Sequence, residues 1–266
     1  MIRLTASLLA LLLAATACTT APSGRSQLMM VSDAQMNQLG AASFDQLKSS
    51  GKLSRDPRHA AYARCVVDAL LPELPDEWRR LRWEVQVFDD PTPNAFALPG
   101  GKVGVNTGMF SLTDGQDQLA AVIGHEIGHV VFRHSGERVS QNLMAQTGLS
   151  IAGAVATANT SSANARAITG LLGAGAQVGV LLPFSRQHES EADIYGQELM
   201  ARAGFDPRAA AALWTRMQQQ SGSRGSEWLS THPDPANRIR ALNARAPGLM
   251  PTFEQARAAG KRPRCA

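Results

Sequence analysis

The sequence contains little cysteine, no internal repeat and no long block of charge of one sign. Its 26 basic and 22 acidic residues are interleaved, so the net charge of +4 does not form a basic patch, and we expect no nucleic-acid partner. With 44% hydrophobic and 18% charged residues, the chain is neither disordered nor fibrous. A chain of 266 residues is also long enough to bury a core without crosslinks.

The first 17 residues lack an apolar run of membrane-spanning length. The run from Leu8 to Leu13 is much shorter than the about 20 residues of a spanning helix. A charged start, a short apolar stretch and then small residues are typical of a cleavable signal peptide. Ala15-Thr16-Ala17-Cys18 resembles a bacterial lipobox, which predicts cleavage before Cys18 and lipid attachment to its thiol. Because Thr19 follows rather than Asp, we expect an outer-membrane lipoprotein in the periplasm; the alternative is an ordinary signal peptide with an incidental Cys18.

Two cysteines remain once Cys18 is assigned to lipid. Cys65 lies in a predicted helix, and Cys265 is the penultimate residue. An oxidising periplasm favours a disulfide between them. In the chain-entropy model a crosslink of this span stabilises the fold by about 4–5 kcal/mol. The alternative is two free thiols.

Hydrophobic periodicity predicts a few early strands followed mostly by helices. Strict alternation predicts a strand at Trp83–Phe88, and two short strands at Asn94–Leu98 and Lys102–Val105 flank a Pro-Gly-Gly turn. Capping residues predict helix starts at Ser32-Asp33, Asp56-Pro57, Thr113-Asp114, Ser185, Asp206-Pro207 and Asp234-Pro235. The predicted fold class is α+β and mostly helical, with an apolar helical hairpin at residues 139–185.

The strongest chemical signal is His125-Glu126-Ile127-Gly128-His129, an H-E-x-x-H motif. Residues four apart share a helix face, so both imidazoles can reach one metal ion. One zinc ion suits two imidazoles and a carboxylate, with a fourth position open for water. Glu126 lies next to that face and is placed to accept a proton from the water. The alternative is a buried histidine pair without a metal.

The surroundings of the motif suggest a close neighbour and a third ligand. Gly124 and Gly128 each cost about 1 kcal/mol inside a helix, which is explained if another element approaches the metal face closely. Glu189 and Asp193 lie four residues apart on a predicted helix. In the usual arrangement, one carboxylate is a metal ligand and the other holds a ligand imidazole. Glu191 points about 200° away from Glu189 on that helix. Spacing alone leaves open that Glu189 is an ordinary surface acid.

Four segments carry a family resemblance: Asn94–Gly101, the H-E-x-x-H helix, Glu189–Asp193 and Ser230–Pro233. Together they resemble the HtpX-like and CAAX-prenyl-protease family of gluzincin zinc metallopeptidases, in its periplasmic lipoprotein branch. The resemblance extends from Asp56 to Arg245 and implies a zincin-like fold with a small early sheet beside the active-site helix. It also implies that Glu189 is the third ligand and that Asp193 orients His125.

The resemblance places His232 and Arg238 near the catalytic cleft. It implies two roles for His232, which either stabilises the oxyanion or fills the open position on zinc and keeps the enzyme latent. The alternatives are a turn-capping His232 and an Arg238 that forms a structural ion pair. The remaining histidines, His59, His134 and His188, are predicted to be solvated.

The resemblance also assigns a role to the strand formed by Asn94, Ala95, Phe96, Ala97 and Leu98. In such peptidases an edge strand above the metal binds substrate backbone by strand addition. This arrangement recognises an extended chain with little preference for its side chains. The alternative is an interior strand that does not contact the substrate.

The predicted organisation is a signal peptide (1–17), a lipid-anchored tether with an N-terminal helix (18–55), a zinc metallopeptidase domain (56–250) and a tail (251–266). The leading hypothesis is a zinc endopeptidase that cleaves unfolded or misassembled cell-envelope proteins, with the outer-membrane assembly machinery as a further partner. The alternative is a latent or non-proteolytic assembly factor or chaperone for outer-membrane proteins that uses the same groove. A hydrolase of peptidoglycan peptides fits the compartment but not the family segments.

Overall fold

The computed structural model describes residues 18–156, 184–220, 231–232 and 235–265. These residues form the strands β1 (Cys18–Thr20), β2 (Ser26–Leu28), β3 (Glu84–Phe88), β4 (Ala95–Leu98) and β5 (Lys102–Asn106). Their helices are α1 (Asp33–Ser50), α2 (Pro57–Leu70), α3 (Asp76–Arg79), α4 (Thr107–Leu112), α5 (Gln116–Val131), α6 (His134–Ala156), α7 (Arg186–Arg202), α8 (Ala209–Gln220) and α9 (Pro235–Ala258). The predicted fold class, mostly helical α+β, is confirmed.

Side-chain caps begin several helices where the sequence predicts them. Ser32 forms a capping box at the start of α1, and the side chains of Asp56 and Ser185 accept backbone N–H bonds at the starts of α2 and α7. The start of α5 differs from the prediction. Its N-cap is Gly115, with φ of 84°, whereas Thr113 closes the preceding helix α4.

The central sheet has the strand order β3–β5–β4, with β5 parallel to β3 and antiparallel to β4. Because side chains alternate along a strand, β4 serves two layers. Ala95 and Ala97 join the main core with helix α5, whereas Phe96 and Leu98 pack with Phe44 of α1 on the other face. The sheet is therefore covered on both faces, and β4 lies at its edge.

The N-terminal segment is part of the folded domain rather than a polar tether. Strands β1 and β2 pair as an antiparallel hairpin, with Thr19 opposite Gln27. Gln27 is buried and donates to the backbone oxygen of Phe132 at 2.6 Å. The side chain of Arg25 forms ion pairs with Glu137 and Glu191. These contacts are non-local, which is why the sequence alone predicted a tether at this point.

The C-terminal segment is also anchored to the core. Helix α9 continues to Ala258, and the chain then returns to the core. The predicted disulfide is present between Cys65 and Cys265, whose Cα atoms lie 5.5 Å apart. The side chain of Gln116, at the start of α5, donates to one backbone group of the last residues and accepts from another. The tail thus packs against the helix that carries the H-E-x-x-H motif.

The predicted apolar hairpin at 139–185 lies largely outside the described residues, apart from 139–156 in α6 and 184–185 before α7. Within the described ranges, no helix combines the length and the apolar character that crossing a bilayer requires.

Candidate metal centre

Helix α5 is buried along most of its length, and helix α7 packs directly on its glycine face. A Cβ atom added to Gly124 would lie 3.1 Å from the backbone oxygen of Gly196, and one added to Gly128 would lie 3.0 Å from the Cα of Ala192. The predicted close approach is therefore present, and the neighbour is α7. This contact brings the acidic face of α7 to the histidines of α5.

Gly196→Ala is expected to destabilise the protein by about 1–3 kcal/mol, because the new methyl group would overpack the helix contact. Its Cβ would lie 2.7 Å from the backbone nitrogen of His125 and 2.8 Å from the carbonyl carbon of Gly124. These are backbone atoms that cannot rotate away. Urea unfolding at equilibrium measures the effect.

Gly248→Ala is the matched control for this substitution. Gly248 also lies inside a helix, α9, but an added Cβ would meet nothing within 4 Å. Here alanine is expected to raise the free energy of unfolding by up to about 1 kcal/mol. Equal effects of the two substitutions would contradict the close-packing argument.

Four buried side chains converge at the end of α5: His125, His129, Glu189 and His232. The Nε2 atoms of the two α5 histidines are 3.0 Å apart, and each is 3.5 Å from an oxygen of Glu189. The Nδ1 atom of His232 is 3.2 Å from Nε2 of His125 and 3.0 Å from Oε1 of Glu189. One potential ligand atom from each residue thus faces a common centre.

This donor set fits a zinc ion. Tetrahedral zinc with bonds of about 2.0–2.1 Å places its ligand atoms about 3.3 Å apart, and the measured separations run from 3.0 to 3.5 Å. Zinc ligation requires neutral imidazoles. Burial, and then the nearby positive charges, hold the pKa of His129 well below its usual range. The arrangement suits a divalent cation with nitrogen and oxygen ligands.

Asp193 and Arg238 lie behind the ligands. Asp193 Oδ1 is 3.0 Å from His125 Nδ1. Arg238 donates from Nε and Nη2 to Asp193, at 2.6 Å each, and from Nη1 to Glu189. Its guanidinium lies 3.5 Å from the centroid of the Trp214 ring. Burial raises the pKa of Asp193, but the charge and hydrogen bonds of Arg238 outweigh burial and hold this pKa well below its usual range.

Glu126 lies beside the ligand cluster, next to His232. Its Oε1 atom is 3.5 Å from the Nε2 atom of His232, and both side chains are buried. Because Nδ1 of His232 faces Glu189, this one ring spans from the cluster centre to the carboxylate of Glu126. His232 thus stands between the metal position and the predicted general base.

Phe184 covers the same cluster from outside. Its ring stacks on that of His129 with centroids 3.9 Å apart, and the guanidinium of Arg138 lies 4.0 Å from the Phe184 ring centroid. The backbone nitrogen of Phe184 donates to the oxygen of Thr231 at 3.1 Å. This bond ties the segment that carries His232 to the start of α7.

Sequence reasoning missed two residues near the site. His134 and His188 were expected to be solvated, but they are 0% and 3% exposed. Burial lowers the pKa of His134 to about 4, so its ring is neutral at pH 7. Burial raises the pKa of Glu191, but hydrogen bonds from His134 and Arg25 outweigh burial and hold it at about 2. No local pattern signals these contacts, because the partners lie far apart in sequence.

The strand predicted to bind substrate lies at the sheet edge. The backbone nitrogen of Asn106 in β5 donates to the oxygen of Asn94, so alternate β4 residues direct their backbone groups towards β5. By that alternation, the backbone groups of Ala95 and Ala97 point away from β5. Within the described residues, β4 pairs only with β5.

A helix with an H-E-x-x-H motif, a glutamate from a second helix and a small sheet beside them define a zincin-like metallopeptidase. The chain belongs to peptidase family M48, whose family model matches residues 57–246. The predicted class of enzyme, a metalloendopeptidase, agrees with this family and with the named relatives.

Three relatives illustrate the match. Mitochondrial metalloendopeptidase OMA1 of Schizosaccharomyces pombe is 42% identical over 164 residues, which is 61% of this chain and 46% of the relative. The mitochondrial metalloendopeptidase OMA1 of Danio rerio is 35% identical, covering 85% of this chain and 50% of the relative. Beta-barrel assembly-enhancing protease of Escherichia coli strain K12 is 32% identical, and the match covers 87% of this chain and 48% of the relative. The chain spans about half the length of these relatives.

The predicted location in the periplasm as an outer-membrane lipoprotein is contradicted by this comparison. Relatives with identities up to 42% are mitochondrial proteins by name. The prediction depended on residues 1–17 and on Cys18, which lie outside the matched region 57–246. A short charged and apolar start is thus not sufficient to assign the compartment of this chain.

Proposed function

We propose that this protein is a zinc endopeptidase that cleaves unfolded or misassembled polypeptides. The observation that carries the proposal is the position of Glu126, whose carboxylate lies beside a buried set of four metal-ligand side chains. A binding protein would have no use for an acid at this point. The non-proteolytic alternative is therefore not favoured.

His125, His129 and Glu189 would hold the metal ion, and Glu126 would be the general base. Zinc, when bound, supplies a Lewis acid that lowers the pKa of water and polarises the substrate carbonyl. Glu126 accepts the proton of the attacking water and then delivers it to the leaving amine. Asp193 and Arg238 are positioning residues in this proposal, since they hold His125 and Glu189 from behind.

The contacts of His232 support a latent resting state, in which its side chain fills the open ligand position, rather than a role in stabilising the oxyanion. Its Nδ1 atom lies where a fourth ligand would bind, and its Nε2 atom faces Glu126. One side chain therefore blocks both the site of attack and the base. Substrate hydrolysis then requires the segment with His232 to move away.

The substrate class in this proposal rests on the position of β4 at the edge of the sheet. Ala95 and Ala97 are only 2% and 8% exposed, so an extended chain would add to this edge through their outward backbone groups once the cover over them moves. Strand addition of this kind selects unfolded segments rather than a side-chain sequence. Misassembled envelope proteins and an assembly machinery as a partner stay predictions. The finer likeness to HtpX-like and CAAX-prenyl-protease members also stays a prediction.

Removal of the metal tests the proposed function. Dialysis against a chelator is expected to abolish casein hydrolysis, and one equivalent of Zn²⁺ is expected to restore it. Bound zinc should also raise the melting temperature, because it binds only the folded protein. Elemental analysis of the purified protein gives the metal content. Hydrolysis that survives complete removal of zinc would refute the proposal.

A further inference from the structure

We infer that His134 and Glu191 form a relay that orients the ligand His129, and that Arg25 of the β1–β2 hairpin holds this relay in place. The inference rests on the proposed zinc site and adds positioning residues to it. It also makes the N-terminal hairpin a component of that site.

The first step is the contact between two imidazoles. His129 Nδ1 lies 2.9 Å from His134 Nδ1, on the side of the His129 ring opposite the cluster. Since Nε2 of His129 faces the other ligands, the proton of this ring belongs on Nδ1, and the Nδ1–H group donates a hydrogen bond to His134. A ligand imidazole with a fixed proton on the outer nitrogen has a fixed tautomer and a fixed ring plane.

The second step continues to a carboxylate. Because His134 Nδ1 accepts a hydrogen bond, the proton of its own neutral ring lies on Nε2, which is 2.9 Å from Oε2 of Glu191. The other α5 ligand has the same support in a shorter form, since Asp193 contacts His125 directly. Glu191 lies on a different face of α7 from Glu189, and the imidazole of His134 bridges the resulting gap.

The third step is the ion pair that holds the carboxylate end of the relay. Arg25 Nε donates to Oε1 of Glu191 at 2.8 Å, and Nη2 donates to Oε2 at 3.0 Å. The same guanidinium donates to both oxygens of Glu137, at 2.7 and 2.6 Å. A planar fork suits such paired contacts with carboxylates. One cation from the hairpin thus holds two buried acids, and one of these acids supports His134.

The central test compares zinc affinity between two substitutions at one position. His134→Phe keeps a ring that can stack on His188, whose centroid lies 4.3 Å from that of His134, but it cannot accept a hydrogen bond from His129. We expect its dissociation constant for Zn²⁺, measured by competition with a chelating dye, to rise about 10- to 100-fold. In His134→Asn the side-chain oxygen can still accept from His129, so we expect a smaller increase.

His59→Phe is the matched control. His59 stacks on Phe110 with centroids 4.5 Å apart and lies on α2, which supplies none of the metal-site side chains, so the same chemical change there should leave the zinc affinity unchanged. The visible spectrum of the Co²⁺-loaded protein should shift in His134→Phe and not in the control, because it reports the ligand geometry.

Arg25 is tested in the same way. Arg25→Met should weaken zinc binding although every metal ligand remains, and Arg25→Lys should recover part of the affinity because the charge is retained. The melting temperature of the metal-free protein is measured in parallel. A purely structural network would lower this temperature while leaving the zinc affinity and the cobalt spectrum unchanged, and that result would overturn the inference.

These measurements separate the relay from the proposed function, because none of them depends on hydrolysis. If the wild-type protein binds zinc tightly but does not cleave casein, the proposed function fails while the relay can still be confirmed. If the wild type cleaves casein and His134→Phe binds zinc as tightly as the wild type, the relay fails and the proposed function stands.

Discussion

Glu126→Gln is expected to reduce peptide hydrolysis by about 1000-fold while leaving the fold and the zinc content unchanged. Glutamine has nearly the same shape as glutamate and can still contact His232, whose Nε2 lies 3.5 Å from the Glu126 carboxylate. It cannot accept the proton of the attacking water or pass one to the leaving amine. The loss should therefore appear in kcat rather than in substrate binding.

The measurement is casein hydrolysis at equal zinc content, with the melting temperature as a check on folding. Glu198→Gln is the matched control, since this glutamate lies on α7, is partly exposed and pairs with Arg202. It should retain wild-type activity. Hydrolysis that persists in Glu126→Gln would exclude the proposed mechanism, whereas loss of zinc would indicate a structural defect instead.

His232→Ala is expected to increase the rate of hydrolysis by about 100-fold. This is the gain expected if His232 blocks the site in about 99% of the molecules at rest. Removing the ring opens the fourth ligand position and removes the contact of His232 with the Glu126 carboxylate. Three ligands, His125, His129 and Glu189, remain to hold the zinc ion.

The assay compares initial rates of casein cleavage by the wild type and His232→Ala at equal zinc content. The double variant with Glu126→Gln should show no gain, because the activated rate depends on the same base. His59→Ala, at a histidine on α2 that is not part of the metal cluster, should leave the rate unchanged. A rate that falls in His232→Ala would contradict latency and favour the other implied role, stabilisation of the oxyanion.

The sequence by itself determined the features that depend on short spacings. Residues four apart share a helix face, so His125 and His129 could be paired without a structure. The same spacing singled out Glu189 and Asp193 on a second helix, although assigning them required the family resemblance. The caps Ser32, Asp56 and Ser185 were predictable because a capping bond joins residues two or three positions apart.

Tertiary structure decided which distant segments meet at the site. His134 lies next to the motif in sequence, but its role depends on Glu191 of α7 and on Arg25 of the hairpin. Arg25 precedes Glu191 by 166 residues and Glu137, its other partner, by 112 residues. A histidine or an arginine has the same local pattern whether it is solvated or buried. Only the packing of α6, α7 and the hairpin removes water from these groups, and buried charges must then find partners. The contacts of His232 with Glu126 and Glu189 were likewise decided by the tertiary structure, because a non-local contact leaves no periodicity in the sequence.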